Sequence, residues 1–168
     1  MNLEEFQKKV IPLKNKLFRF SYSYLKNQED ARDVVQELMM KVWMKKAEMK
    51  DVLNWEAWMM RMARNLSLDK LKSKNRQWSE LDNLPLKSSG RTPEQITETN
   101  DTISIVQEII KTLPVKQQQV IRLRDMEAYS YKEISDLLEI DINQVKVYLF
   151  RARKAVRAQI VKTDAYGL

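Results

Sequence analysis

Apolar residues recur every three or four positions along most of this chain, the period of a helix with one buried face. Phe6, Val10, Ile11, Leu17, Phe18, Tyr22 and Leu25 predict a first helix from Glu4 to Lys26, which Asn27-Gln28-Glu29-Asp30 breaks. A second begins near Asp30, with acids in the first turn where the helix dipole favours them. Ala31, Val34, Val35, Leu38, Met39 and Val42 form its apolar stripe. Residues 47–54 read as a short loop or irregular turn. A third helix, from Trp55 to about Arg76, is expected to bury Met59, Met62, Ala63 and Leu66. Farther on, Thr92 and Pro93 open a helix as N-cap and first-turn proline. It runs to about Thr112, and another spans Pro114 to about Met126. The segment YKEISDLL at 131–138, the break Glu139-Ile140-Asp141 and a long basic helix from Ile142 make a helix-turn-helix.

Composition agrees with an all-α fold. Of 168 residues only 2 are glycine and 4 proline, too few for a sheet protein rich in tight turns. Leu, Met, Lys, Glu, Gln and Arg, the straight-chain helix formers, dominate. Glycine and proline concentrate in SELDNLPLKSSGRTPEQ, where Pro85, Gly90 and Pro93 stand beside Ser88 and Ser89. We expect two small helical domains, 1–76 and 93–163, joined by a flexible linker at 77–92. Domains of this size bury little surface alone, so both are expected to gain stability from a partner.

The absence of cysteine and histidine excludes a disulfide framework, a thiol nucleophile, a Cys/His zinc site and histidine acid–base catalysis. No cofactor is expected. The charged segment MNLEEFQKKVIPLKNK does not read as a signal peptide, and no stretch approaches the ~20 apolar residues of a membrane span. A soluble, cytoplasmic protein with no membrane span is expected.

Charge sharpens the picture. The net +7 hints at a polyanionic partner. From Arg61 to Trp78 six bases face one acid, and from Ile142 to Lys162 six bases face none. Between them, Glu80 to Glu108 carries six acids against Lys87 and Arg91. Two basic stations thus flank an acidic spacer.

On the last helix, Val145, Leu149, Ala152 and Val156 form a stripe suited to packing on Ile134, Leu137 and Ile140. The opposite face presents Lys146, Val147, Phe150, Arg151 and Lys154, with Arg153 and Arg157 at its flanks. In a major groove, Arg can bond a guanine edge bidentately, Lys can meet phosphate and Phe can press on a thymine methyl. A charge run alone could equally be a solvated face; its place as the second helix of a helix-turn-helix favours DNA. On the second helix, Asp33, Gln36, Glu37 and Met40 lie outside the core stripe at i, i+3, i+4 and i+7. They are either a solvated face or a docking surface for another protein's helices. The third helix carries Trp55, Trp58, Arg61, Arg64, Asn65, Lys72 and Arg76, aromatics and cations that suit single-stranded nucleic acid. At least one tryptophan has the alternative of being a core anchor, and Asp69, structural by default, can orient Arg61, Lys72 or a backbone group.

Taken in order, LFRFSYSYLKNQEDARDVVQELMMKVW, NWEAWMMRMARNLSLDKLKSKNR and LPVKQQQVIRLRDMEAYSYKEISDLLEIDINQVKVYLFRARKAV resemble the extracytoplasmic-function (ECF) class of bacterial sigma factors. The most specific pieces are DVVQE, ARN-x-x-x-D, YKEIS and VKVYLFRARK. The lack of a middle domain and of an acidic N-terminal region points to this compact class. The resemblance implies a non-enzymatic initiation factor whose partners are core RNA polymerase, promoter DNA and an anti-sigma factor. Asp33, Gln36 and Glu37 would meet the clamp helices of the largest subunit. The third helix and the 47–54 loop would recognise and open the −10 element. The second domain would bind the flap of the other large subunit and read the −35 element as duplex, and the acidic linker would thread toward the active-site and RNA-exit region. The sequence departs from the family pattern at Ala128, where glycine is common, and at Val147 and Tyr148, where small polar and basic residues are common. An autonomous helix-turn-helix regulator would explain residues 113–160 but leave DVVQE and the first basic station unused. A recombinase-like enzyme would need a catalytic constellation that the serines and tyrosines do not form.

Overall fold

The computed structural model describes residues 1–80 and 101–165, and the chain divides into two compact units, Met1–Glu80 and Leu81–Leu168. Among the described residues every regular element is helical, as the apolar periodicity predicts.

In the first unit, the segment read as one helix over 4–26 is three elements: α1 (Leu3–Lys9), a 3-10 turn (Ile11–Leu13) and α2 (Lys14–Leu25). Pro12 is the cause, because it has no N–H to donate and its ring crowds the preceding turn. Val10, at the bend, is fully buried. Lys26 then takes a left-handed φ of 53° and Asn27 caps α3 (Gln28–Met44), its side chain accepting from the Asp30 N–H at 3.0 Å. That cap shortens the predicted four-residue break to two and makes Gln28, Glu29 and Asp30 the first turn of α3. The stripe Ala31, Val34, Val35, Leu38 and Val42 is buried as predicted, and Met39 is half-buried.

Residues 45–54 are irregular, and Asn54 caps α4 (Trp55–Glu80) by accepting from the Ala57 N–H at 3.0 Å. No glycine or proline stands near Arg76, so α4 runs past it to Glu80. Over residues 55–76, whose burial is described, the buried residues are Met59, Met60, Ala63 and Ser67. The predicted Met62 and Leu66 are only half-buried, because α4 packs against both α2 and α3 and its buried arc turns toward Met60 and Ser67.

The second unit contains α5 (Asp101–Lys111), α6 (Val115–Ile121), α7 (Tyr131–Leu138) and α8 (Ile142–Ala165). The Thr92 cap, Pro93 and the expected linker from residue 81 onward lie outside the described residues. The helix expected over 114–126 changes register part-way: Arg122–Met126 are π-helical, with the Glu127 N–H donating to the Arg122 carbonyl at 3.0 Å. The chain then reverses through Ala128, whose φ is 60°, while the Tyr129 N–H donates to the Leu123 carbonyl at 2.9 Å. Both bonds satisfy carbonyls that a helix end leaves open. A Cβ in the left-handed region costs about 1–2 kcal/mol, partly offset by the greater unfolded freedom of glycine. Ala128→Gly is therefore expected to stabilise this unit by about 0.5–1 kcal/mol, a rise of a few degrees in melting temperature. An unchanged or lower melting temperature would mean that the alanine carries no strain.

Local bonds fix the α7–α8 corner. Ser130 and Glu133 form a capping box: the Ser130 side chain accepts from the Glu133 N–H at 3.1 Å, and the Glu133 carboxylate from the Ser130 N–H at 2.7 Å. Glu139 ends α7 with a φ of 55°, and the Ser135 hydroxyl donates to the Ile140 carbonyl at 2.6 Å. Asp141 and Gln144 exchange side-chain bonds with each other's N–H at 2.8 and 3.1 Å, which starts α8. Val145, Leu149, Ala152 and Val156 are buried, and α8 packs not only on α7 but also on α6 and α5.

Candidate functional site

Three exposed faces carry the chemistry, and each is the outer side of a helix whose inner side is core. On α3, Asp33, Gln36, Glu37 and Met40 are all exposed and, with Lys41 and Met44, line an open groove. Met40 is 56% and Met44 77% exposed, a flexible apolar surface between carboxylates that suits a protein partner. The carboxylates are not idle. Glu37 pairs with Lys41 at 2.6 Å, and Asp33 accepts from Lys70 of α4 at 3.1 Å. Lys70 also lies 3.7 Å from Asp30, to which Lys74 donates.

On α4 this pairing sorts the first basic station. Lys70 and Lys74 face α3, while Arg61, Asn65, Lys72 and Arg76 are exposed on the side away from Met59, Met60, Ala63 and Ser67, with half-buried Trp58 on the same line. Trp55 and Arg64, both half-buried, sit to either side of that line. The two tryptophans meet edge to face, with centroids 6.3 Å apart. The Arg64 guanidinium donates to the Asn65 side-chain oxygen at 3.4 Å. Asp69 is exposed and makes no ion pair with Arg61 or Lys72, so neither of these two expected pairings is formed. The start of α4 is anchored by Glu56, which pairs with Lys16 of α2 at 2.7 Å. In the loop before it, Leu53 is fully exposed.

On α8, Lys146, Val147, Phe150, Arg151 and Lys154 are exposed opposite the buried stripe. Lys146, Arg151 and Lys154 make no ion pair among the described residues, so their charges are available. Arg153 differs. Its Nε and Nη2 donate to the two carboxylate oxygens of Asp125 at 2.9 and 2.6 Å. This bidentate bond, with the charges of Asp125 and Tyr131 adding, holds the guanidinium above its ordinary range despite slight burial. Asp125 lies on the π-helical turn, whose neighbour Arg124 stacks on the Tyr131 ring at 4.5 Å and donates to the Tyr129 carbonyl at 2.9 Å. The sequence pattern gives no sign of Asp125: its partner is 28 residues away and the contact depends on the π register. The capping pairs Ser130/Glu133 and Asp141/Gln144 are not among the sequence expectations, although their Ser-x-x-Glu and Asp-x-x-Gln spacings carry the signal.

The clasp separates two arginines of the same helix. Arg151→Ala is expected to lower the salt dependence of duplex binding by about one phosphate, or to cost about 1–3 kcal/mol at one base pair if it reads a base. Arg153→Ala should change the salt slope far less, since Asp125 already neutralises its charge. Titrations of both variants from low to moderate salt measure this, and equal loss of slope would show that DNA displaces Asp125.

Among the described residues no helix is long and apolar enough to cross a membrane, and no cluster of three or more acidic side chains could hold a metal ion. The chain matches two family models, Sigma-70 region 2 over residues 11–77 and Sigma-70, region 4 over residues 103–156. It is similar to the RNA polymerase sigma factor SigV of Bacillus subtilis (strain 168), 27% identical over 90% of this chain and 88% of the relative. The ECF RNA polymerase sigma factor SigW of the same organism is 26% identical over 88% of this chain and 84% of its own length. Among solved structures, the sigma factor RpoE in complex with the anti-sigma factor NepR from Bartonella quintana shares the fold. Its TM-score is 0.74 at 22% identity, covering 96% of this chain and 99% of that one.

Proposed function

Since the chain belongs to the sigma-70 family, as a promoter-recognising factor of the ECF class, we propose that its three outer helix faces divide the work of initiation. The α3 face, with Asp33, Gln36, Glu37 and Met40, docks on the clamp helices of the largest polymerase subunit. The outer line of α4, with Trp58, Arg61, Asn65, Lys72 and Arg76 flanked by Trp55 and Arg64, takes the −10 strand together with the preceding loop. The α8 face, with Lys146, Val147, Phe150, Arg151 and Lys154, enters the major groove of the −35 element. Arg153 lies at its edge, under the control of Asp125. The first domain, expected at 1–76, extends to Glu80 with the end of α4, and the second, at 93–163, also meets the flap of the other large subunit.

The observation that carries this reading is the α8 face: unpaired cations around exposed apolar side chains, with no acid, behind a turn fixed by side-chain bonds. A solvated helix has no use for an exposed phenylalanine among three unpaired cations, whereas a DNA groove has one for both. The chain itself does no bond chemistry; it selects the start site and holds the opened strand while polymerase, in the cytoplasm, makes RNA. An anti-sigma factor is the partner that restrains it, a reading supported by the complex in which the RpoE relative was solved.

Because the sequence has no cysteine, single cysteines can address the faces one at a time. Met40→Cys, Asn65→Cys and Lys154→Cys, each carrying a photo-crosslinker in the assembled promoter complex, should label polymerase, the −10 strand and the −35 duplex respectively. Labelling of a different component from any position would refute that face's assignment.

A further inference from the structure

The outer face of α8 is not uniformly cationic. Val147 is 45% and Phe150 68% exposed, one turn apart, with Lys146, Arg151 and Lys154 around them. Phe150 makes no ring contact among the described residues. Neither side chain can bond to a base edge. The one apolar feature that a base pair presents in the major groove is the C5 methyl of thymine. Two residues three apart stand about 4.5 Å apart along the helix, close to the ~3.4 Å spacing of successive bases, so the pair can reach one thymine or two adjacent ones.

We propose that Val147 and Phe150 form a methyl-reading pair that makes a thymine at a fixed place in the −35 element a determinant of promoter choice. The proposal rests on the reading of α8 as the duplex-facing helix and adds what that helix selects. Charge argues for DNA over protein as the occupant: from Ile142 to Lys162 there is no acid, so anything seated on the apolar pair also meets unopposed cations. Arg151 supplies affinity or a guanine contact beside the pair. Val147 supplies a discrimination that a small polar residue at the same position could not.

The test uses the full chain bound to core polymerase and a duplex selected by that complex from random sequence. Thymines in the −35 region are replaced singly by deoxyuridine, which removes the C5 methyl and leaves base pairing intact. At one position, or at two adjacent ones, the replacement should weaken binding about four-fold, the effect of one buried methyl-sized group. With Val147→Ala or Phe150→Leu, exposed substitutions that leave the core untouched, thymine and deoxyuridine should bind nearly alike at that position. Arg151→Ala should weaken both duplexes and keep their ratio. If deoxyuridine is without effect everywhere while Arg151→Ala still weakens binding, the methyl-reading pair is wrong and α8 remains the duplex reader. Full thymine discrimination retained by both apolar variants overturns the proposal as well. If Arg151→Ala, Val147→Ala and Phe150→Leu all leave duplex binding unchanged, the placement of α8 on DNA itself fails, and the apolar pair belongs to a protein interface.

Discussion

Alanine at Arg61 or Asn65 is expected to remove most transcription from a fully duplex promoter and to restore much of it on a template already melted around the −10 element. Both side chains are exposed on the outer line of α4, next to half-buried Trp58 and on the side away from the core. Extruding a base costs a few kcal/mol, and stacking plus cation contacts return about 1–3 kcal/mol per base. Loss of one such contact therefore lowers the open population by about five-fold or more. Pre-melting removes the step that we propose these residues assist. Phe150→Ala and Arg151→Ala should show no comparable rescue, because the contact proposed for them is to duplex outside the bubble. Permanganate reactivity of unpaired thymines reports the opening directly. Equal rescue of both classes, or none for the first, would place strand opening elsewhere.

The second large effect is expected at α3. Asp33→Ala combined with Gln36→Ala should weaken core polymerase binding by about 2 kcal/mol or more, roughly 30-fold, the scale of interface hot spots. Both residues are exposed, so helicity should be retained. Asp33 also accepts from Lys70, and a lost α3–α4 bond is the competing explanation. Lys70→Ala separates the two: an exposed pair contributes about 0–1 kcal/mol to stability, and this variant should bind core polymerase nearly normally. Matching losses from Lys70→Ala and from the double variant would move the effect from docking to the α3–α4 packing.

Periodicity records which positions are apolar, and that sufficed for the stripes of α3 and α8 and for the three-residue turn between α7 and α8. It failed where one residue outweighs the pattern, as Pro12 does in splitting the first helix. It also failed where a helix is buried against two neighbours at once: α4 buries Met60 and Ser67 in place of Met62 and Leu66 because both α2 and α3 lie against it. Charge counting has a matching blind spot. Lys70 and Lys74 belong to the first basic run in sequence but pair with Asp30 and Asp33 in space. Arg153 belongs to the second run but is held by Asp125. Sequence separations of 28 to 44 residues leave no periodic trace, so the faces were legible and the pairing of their charges was not.

Run-off transcription with purified core polymerase on a broad set of genomic fragments tests the central claim most directly. Addition of this chain, free of any inhibitor, should produce discrete transcripts from a subset of fragments that core polymerase alone does not yield. Those fragments should share two sequence elements at −35 and −10 spacing. A transcript pattern identical with and without the chain would contradict its role as a promoter-selecting sigma factor.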